Sequence, residues 1–255
     1  MLLAVDTGNS DITIGAWDGN EWTQIWRVPS ISSQPELFYG VKIREHFLEA
    51  NIPESSIDKV VISSVVPSLT EKLRNVIIAI TNCEPVVLGP PLYKKLKIEV
   101  LNPYEIGSDL VANAVAAYDH YQKASIVVDF GTALTFTTIS DKGKILGVSI
   151  VPGLKTAIRS LTQNTAKLFD VPLQMPTSVL GTSTITAIQS GILVGYQGLV
   201  QTMIKSIRHE IGVDCPAIAT GGLSSIITPL SDFFDKVDPH LTLSGLRIVG
   251  ETTSN

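Results

Sequence analysis

Two segments of this chain repeat one pattern. "LLAVDTGNSDITIGAWDG", residues 2–19, opens with four apolar residues and ends the run on Asp6. "SIVVDFGTALTFTTISDKG", residues 125–143, carries the apolar run Ile126–Val128 and ends it on Asp129. In each, a glycine follows the acid two residues later, Gly8 and Gly131. Small polar residues, an alternating strand and a glycine turn come next, at Asp18-Gly19 and at Asp141–Gly143. The acids lie 123 residues apart in a chain of 255. A pattern repeated at about half the chain length predicts two similar α/β halves with a boundary near residues 118–124. We assign 1–120 to the first half and 121–255 to the second.

The remaining elements follow from periodicity and punctuation. Leu2–Val5 reads as a buried strand and Asp11–Trp17 as an alternating one, with Ile12, Ile14 and Ala16 on one face. Asp18-Gly19 turns the chain back into a strand over Glu21–Val28. Helices are expected over Glu36–Ala50, Glu71–Ile80 and Asp109–Tyr121, and strands over Lys59–Ser63 and Glu84–Leu88. Ser108 stands where an N-cap belongs. In the second half, helices are expected at Leu154–Lys167 and Thr184–Ile211, a strand at Ala217–Ala219, and a last helix within Leu223–Val237.

Composition narrows the function classes. Hydrophobic residues make up 44% of the chain, enough for a sizeable core, yet no apolar run nears the roughly 18 residues of a membrane span. No basic segment leads into an apolar stretch at the N-terminus, so no signal peptide is expected. Cys83 and Cys215 sit in neither a CxxC nor a metal-ligand spacing, which favours a reduced, cytoplasmic compartment. Net charge is −5 with no basic run, so neither nucleic acid nor a membrane is the expected partner. The four histidines, His46, His120, His209 and His240, are scattered and do not read as a zinc set.

The chemistry lies where the two strands end. Glycine lets backbone amides approach a ligand closely, and Thr, Ser and Asn add donors. Such a turn suits phosphate oxygens. An aspartate at its rim suits the accompanying cation, because Mg²⁺ prefers one or two carboxylates together with phosphates and water. Read singly, each turn is also an ordinary β-turn with an Asx bond; two in equivalent places favour the phosphate reading. "AIATGGLSS", residues 217–225, adds a strand, the glycine pair Gly221-Gly222 and a helix start, where a flat adenosine can lie against backbone. Asp109, at a helix start behind Gly107-Ser108, reads either as a catalytic acid or as a residue that satisfies free helix amides.

In this order the motifs resemble the actin, sugar-kinase and Hsp70 ATPase superfamily, whose halves are ribonuclease-H-like with a nucleotide cleft between them. More narrowly, "DTGNS" at 6–10, "VISSVVP" at 61–67, "NPYEIGSDLVANAVAAY" at 102–118, "VVDFGTALTF" at 127–136, "GVSIVPGL" at 147–154 and "GTSTITAIQSGILVGYQGLV" at 181–200 resemble a type III pantothenate kinase. The resemblance spans about residues 2–230. It implies a homodimeric kinase that uses Mg²⁺, ATP and a monovalent cation, K⁺ or NH₄⁺, to make 4'-phosphopantothenate, the first step of coenzyme A biosynthesis. It implies ATP contacts from Asp6, Thr7, Gly8, Asn9, Ser10, Asp11, Ile12 and Thr13, with Asp6 near the Mg²⁺, and further contacts from Gly131, Thr132, Gly221 and Gly222. Asp129 corresponds to the monovalent-cation ligand and Asp109 to the acid facing the acceptor hydroxyl. The position of Val100, together with Gly107, Ser108, Asp109, Leu110 and Thr184, falls where the family contacts pantothenate.

Four positions depart from the family pattern. Leu110 replaces an arginine, Val100 a tyrosine, Val148 the second glycine of a pair, and Ser183 an asparagine. Three of the four concern the acceptor side, whereas Asp6, Gly8, Asn9, Asp129, Gly131 and Thr132 are intact. Leu110 is expected to leave the acceptor pocket more apolar. Kinship with a kinase for another small alcohol, or with a non-catalytic nucleotide-binding regulator, is the alternative.

Overall fold

The structure is a computed structural model that describes residues 1–165, 168–224 and 233–253. The chain divides into two compact units, 1–119 with 241–255, and 120–240.

In the first unit, β1 (Leu2–Thr7), β2 (Asp11–Trp17) and β3 (Trp22–Pro29) form an antiparallel meander. Helix α1 (Glu36–Glu49) leads to β4 (Lys59–Ser64), which lies parallel to β1. Helix α2 (Pro67–Thr81) leads to β5 (Val86–Val87), parallel to β4. The sheet order is β3-β2-β1-β4-β5. Helix α2 starts four residues earlier than the periodicity predicts. Pro67 occupies its first turn, where a missing N–H costs nothing, and Asn82 ends it in the left-handed region at φ 56°.

Alternation along the strands decides the two faces. Leu3 and Val5, Ile12 and Ile14, and Val60 and Ile62 pack with Tyr39, Phe47, Leu69, Leu73 and Ile77 of α1 and α2. The other face carries Leu2, Ala4 and Asp6. Here the turn-like helix α3 (Pro90–Tyr93) precedes α4 (Ser108–Tyr121), and the C-terminal helix Leu241–Thr252 returns to the first sheet. Gly250 of that helix lies against Leu2 and Val61, and Lys59 Nζ donates to its carbonyl at 2.6 Å. Gly245 lies against the Ala112 backbone, so close that a Cβ there would strike the Ala112 carbonyl. The sequence reading places 241–255 in the second half with no helix; the structure places Leu241–Thr252 on the first sheet as a helix.

The second unit repeats the design. β6 (Ser125–Phe130), β7 (Ala133–Ile139) and β8 (Ile145–Pro152) form the meander, and with β9 (Ala217–Thr220) and β10 (Lys236–Val237) the sheet order is β10-β9-β6-β7-β8. Helix α5 (Leu154–Gln163) stops short of the expected end at Lys167, which lies outside the described residues. Helices α6 (Thr184–Gln189) and α7 (Gly195–Ile211) make one continuous rod through a π-helical turn at Ser190–Val194. Strand β9 (Ala217–Thr220) runs parallel to β6, and β10 (Lys236–Val237) parallel to β9. Most of the helix expected within Leu223–Val237 falls at 225–232, outside the described residues, and its end is strand β10. The fold is therefore α/β with two duplicated five-stranded mixed sheets.

Candidate active site

In open α/β sheets ligands bind beyond the carboxyl ends of the strands, and this is where Asp6 and the turn after it lie in the first unit and Asp129, its turn and Gly221 in the second. Asp6 lies in register with Thr13 of β2 and Ser63 of β4. Its Oδ1 is buried. Gly8 closes the following turn by donating its N–H to the Asp11 carbonyl at 3.0 Å. Asn9, Ser10 and Asp11 are exposed on the turn. The Ile12 side chain instead belongs to the core, so only its backbone faces the turn. Thr7 is fully buried, and its Oγ1 has no partner among the described residues.

One hydrogen-bonded link joins this strand end to Asp109. Ser63, the neighbour of Asp6, places its Oγ 2.9 Å from Ser108 Oγ. Ser108 Oγ also accepts from the Ser64 N–H at 3.0 Å. Ser108 is therefore buried and serves as a tether between α4 and β4, not as the expected free cap. The next residue, Asp109, accepts from the Leu110 N–H at 2.8 Å. The helix-start role is thus realised, and burial still dominates: it pushes the Asp109 carboxyl above the ordinary value of 3.8, against the lowering effect of the backbone N–H groups. A carboxyl so placed is a better proton acceptor than a solvated one. Leu110 is buried, at 8% exposure, and Val100 is half-buried. Tyr93 of α3 is buried as well. Its phenol is pushed up to about 12, first by burial and then by the charge of Asp109.

The second unit builds the corresponding end. Asp129 is in register with Thr135 of β7 and Thr220 of β9. Both threonine hydroxyls are buried without a partner among the described residues. The β6–β7 turn is one residue tighter than its counterpart: Asp6 pairs with Thr13, seven residues on, but Asp129 with Thr135, six residues on. Gly131 N–H donates to the Ala133 carbonyl at 3.0 Å. Thr132 is exposed at the tip, and its carbonyl is held by Gly153 N–H at 3.0 Å and by Thr156 Oγ1 at 2.7 Å. Gly221, at φ +90°, passes so near Asp129 that a Cβ would stand 2.5 Å from Oδ1. Gly222 is exposed beside it.

Thr184 stands at the exposed start of α6. Ser183 caps that helix by accepting from the Thr186 N–H at 3.2 Å, and Thr186 Oγ1 accepts in return from the Ser183 N–H at 3.0 Å. Serine at this position does the capping work that asparagine can do, so this departure is chemically mild. Sequence reasoning missed Ser63, Gly153, Thr156 and Tyr93. Gly153 was visible in "GVSIVPGL", but only the fold shows what it touches.

The sequence model of the type III pantothenate kinase family matches residues 2–206. The type III pantothenate kinase of Anaeromyxobacter sp. (strain K) is 39% identical over 251 residues, which cover 98% of this chain and 99% of that protein. That of Geotalea daltonii is 39% identical over 249 residues, covering 98% and 97%. The chain belongs to the type III pantothenate kinase family. Among solved structures, a conserved Campylobacter jejuni protein assigned to the Baf family of transcriptional activators aligns with a TM-score of 0.58 at 20% identity, covering 97% of this chain and 96% of that one. The activator of the 2-hydroxyisocaproyl-CoA dehydratase from Clostridium difficile, solved with ADPNP, aligns at 0.52 and 12% identity, covering 98% and 95%. These two likenesses are of fold alone. As a type III pantothenate kinase, the chain carries its four departures at Leu110 next to Asp109, at Val100 ahead of α4, at Val148 on β8 and at Ser183, the cap of α6.

Proposed function

We infer that this chain phosphorylates pantothenate with ATP to give 4'-phosphopantothenate, the first step of coenzyme A biosynthesis. Family membership over nearly the whole chain supports the reaction. The observation that carries the mechanism is the half-buried, tethered Asp109, whose raised pKa suits a proton acceptor.

In this reading the turns 6–13 and 131–132 bind the ATP phosphates through backbone N–H groups and hydroxyls, and Gly221-Gly222 lies against the adenosine. Asp109 orients the acceptor hydroxyl and takes its proton late, as the new phosphorus–oxygen bond forms. Ser108 keeps Asp109 in place by holding the first turn of α4 to β4. Positioning and charge neutralisation supply most of the rate.

Asp6, with a buried oxygen at the strand end, would hold Mg²⁺ together with the nucleotide. Asp129 would hold the monovalent cation. The Thr135 and Thr220 hydroxyls in register with Asp129 fit that role, because they are buried without a partner among the described residues and hard cations take oxygen ligands. When bound, these cations neutralise charge on the phosphoryl oxygens. Gly107, Ser108, Leu110, Val100 and Thr184 form the acceptor side.

We further propose a cytoplasmic homodimer. No helix among the described residues is long and apolar enough to cross a membrane. Gly191, Gly195 and Gly198 face open space along the α6–α7 rod, where a second backbone can approach closely.

Leu110 and Val100 favour one competing reading, a different small alcohol as acceptor. ATP consumption across a panel of small alcohols tests the choice. Pantothenate is expected to give the highest kcat/KM; a higher value for another alcohol would replace it as the substrate.

A further inference from the structure

Helices α3 and α4 start at neighbouring points of one sheet end. The Leu88 N–H donates to the Ile62 carbonyl of β4 at 2.8 Å, and α3 begins at once after Gly89. The next residues of β4, Ser63 and Ser64, hold Ser108 at the start of α4. Tyr93, which closes α3, and Asp109 are thereby brought to the same strand end.

Tyr93 is 5% exposed, so its ring is anchored in the fold. Its hydroxyl is not among the enclosed polar atoms and makes no hydrogen bond among the described residues. An anchored ring with an open, unbonded hydroxyl is a preorganised donor, since little entropy remains to be lost when it binds. Burial, and after it the charge of Asp109, keeps this phenol protonated. It therefore remains a donor at any working pH.

Val100 cannot supply the hydroxyl that the family's tyrosine carries at its position. We propose that Tyr93 supplies it instead, from the helical turn after β5, and positions the acceptor alcohol beside Asp109 by donating a hydrogen bond to the acceptor. Tyr93 is a specificity-determining residue that the sequence motifs do not mark. The inference rests on the pantothenate reading above.

Tyr93→Phe removes the hydroxyl and leaves the ring. The acceptor KM is expected to rise roughly 2- to 13-fold, the worth of one neutral hydrogen bond. The KM for ATP and the melting temperature are expected to stay unchanged. Adding Val100→Tyr to Tyr93→Phe is expected to recover the acceptor KM, which a purely structural role for Tyr93 does not predict. An unchanged acceptor KM in Tyr93→Phe, an equal rise in both KM values, or a double variant no better than the single one overturns the inference alone. An unaltered chain that turns over no pantothenate overturns both this inference and the reading on which it rests.

Discussion

Asp109 Oδ1 lies against the α-carbon of Gly107, so that a Cβ at position 107 would collide with it. The same relationship recurs in the second unit between Asp129 and Gly221. Two carboxylates, one in the first turn of α4 and one at the end of β6, are each seated on a glycine, and in both cases the glycine is needed for space. At Gly221 the left-handed φ of +90° requires it as well.

Gly107→Ala must move the Asp109 carboxylate, because Val65 closes the other side at 3.4 Å. Misplacing a reacting group by about 1 Å costs on the order of 100-fold in rate. We expect kcat to fall by roughly that factor while ATP affinity, measured by calorimetry, holds. An equal loss of ATP affinity would show that the glycine serves the nucleotide turn.

The raised pKa of Asp109 has two consequences of opposite sign. The base works ionised, so the acid limb of the kcat profile is expected above the ordinary aspartate value of 3.8. For stability, the folded state favours the protonated carboxyl. That contribution is fully present below the unfolded pKa and is lost as pH rises through the folded one. Asp109→Asn keeps an acceptor for the Leu110 N–H and removes the partly desolvated charge. It is expected to melt higher than the parent at pH 8, with the gap closing below about pH 4. A variant that melts lower at pH 8 would mean that the carboxylate is stabilised by its surroundings.

Gly153→Ala drives a methyl group into the Gly131 and Thr132 carbonyls, both backbone atoms that cannot swing aside. Overpacking of this kind costs about 1–3 kcal/mol. Thr156→Val removes only the 2.7 Å hydrogen bond to the Thr132 carbonyl, worth roughly 0.5–1.5 kcal/mol. Both are expected to raise the KM for ATP, Gly153→Ala by more. Equal and unchanged ATP binding in both would remove the 131–132 turn from the nucleotide site.

Gly221→Ala presses on Asp129 Oδ1 and strains the backbone. If Asp129 holds the monovalent cation, the K⁺ concentration giving half-maximal activity rises several-fold in this variant. A K⁺ response identical to that of the parent would separate Asp129 from the cation.

Much of this was legible in the sequence because strand ends are local events. An apolar run that stops on an aspartate, with a glycine two residues on, fixes both the strand and the turn, and the repeat at Asp129 fixes the duplication. What was not legible depends on distant contacts. Ser108 looks like a cap until Ser63 is seen beside it. Leu241–Thr252 follows Asp238-Pro239, a helix-start signal that the sequence reading passed over: the Asp238 carboxylate accepts from the His240 N–H at 3.0 Å. Its docking on the first unit was not legible, because Gly245 and Gly250 fit it to α4, β1 and β4 only through distant contacts. Tyr93 lies in a four-residue helix too short for periodicity to reveal. Its relation to Asp109 arises only because β4 and β5 end side by side.

The most direct test of the central claim is transfer of the γ-phosphoryl group of ATP to pantothenate by the purified chain and by Asp109→Asn, with the product identified by mass spectrometry and ATP affinity measured in parallel. The unaltered chain is expected to form 4'-phosphopantothenate. Asp109→Asn is expected to bind ATP equally well and to turn over about 10²–10⁴-fold more slowly, the range for loss of a general base. Near-native turnover by Asp109→Asn, or ATP binding with no phosphopantothenate formed by the unaltered chain, would contradict the account.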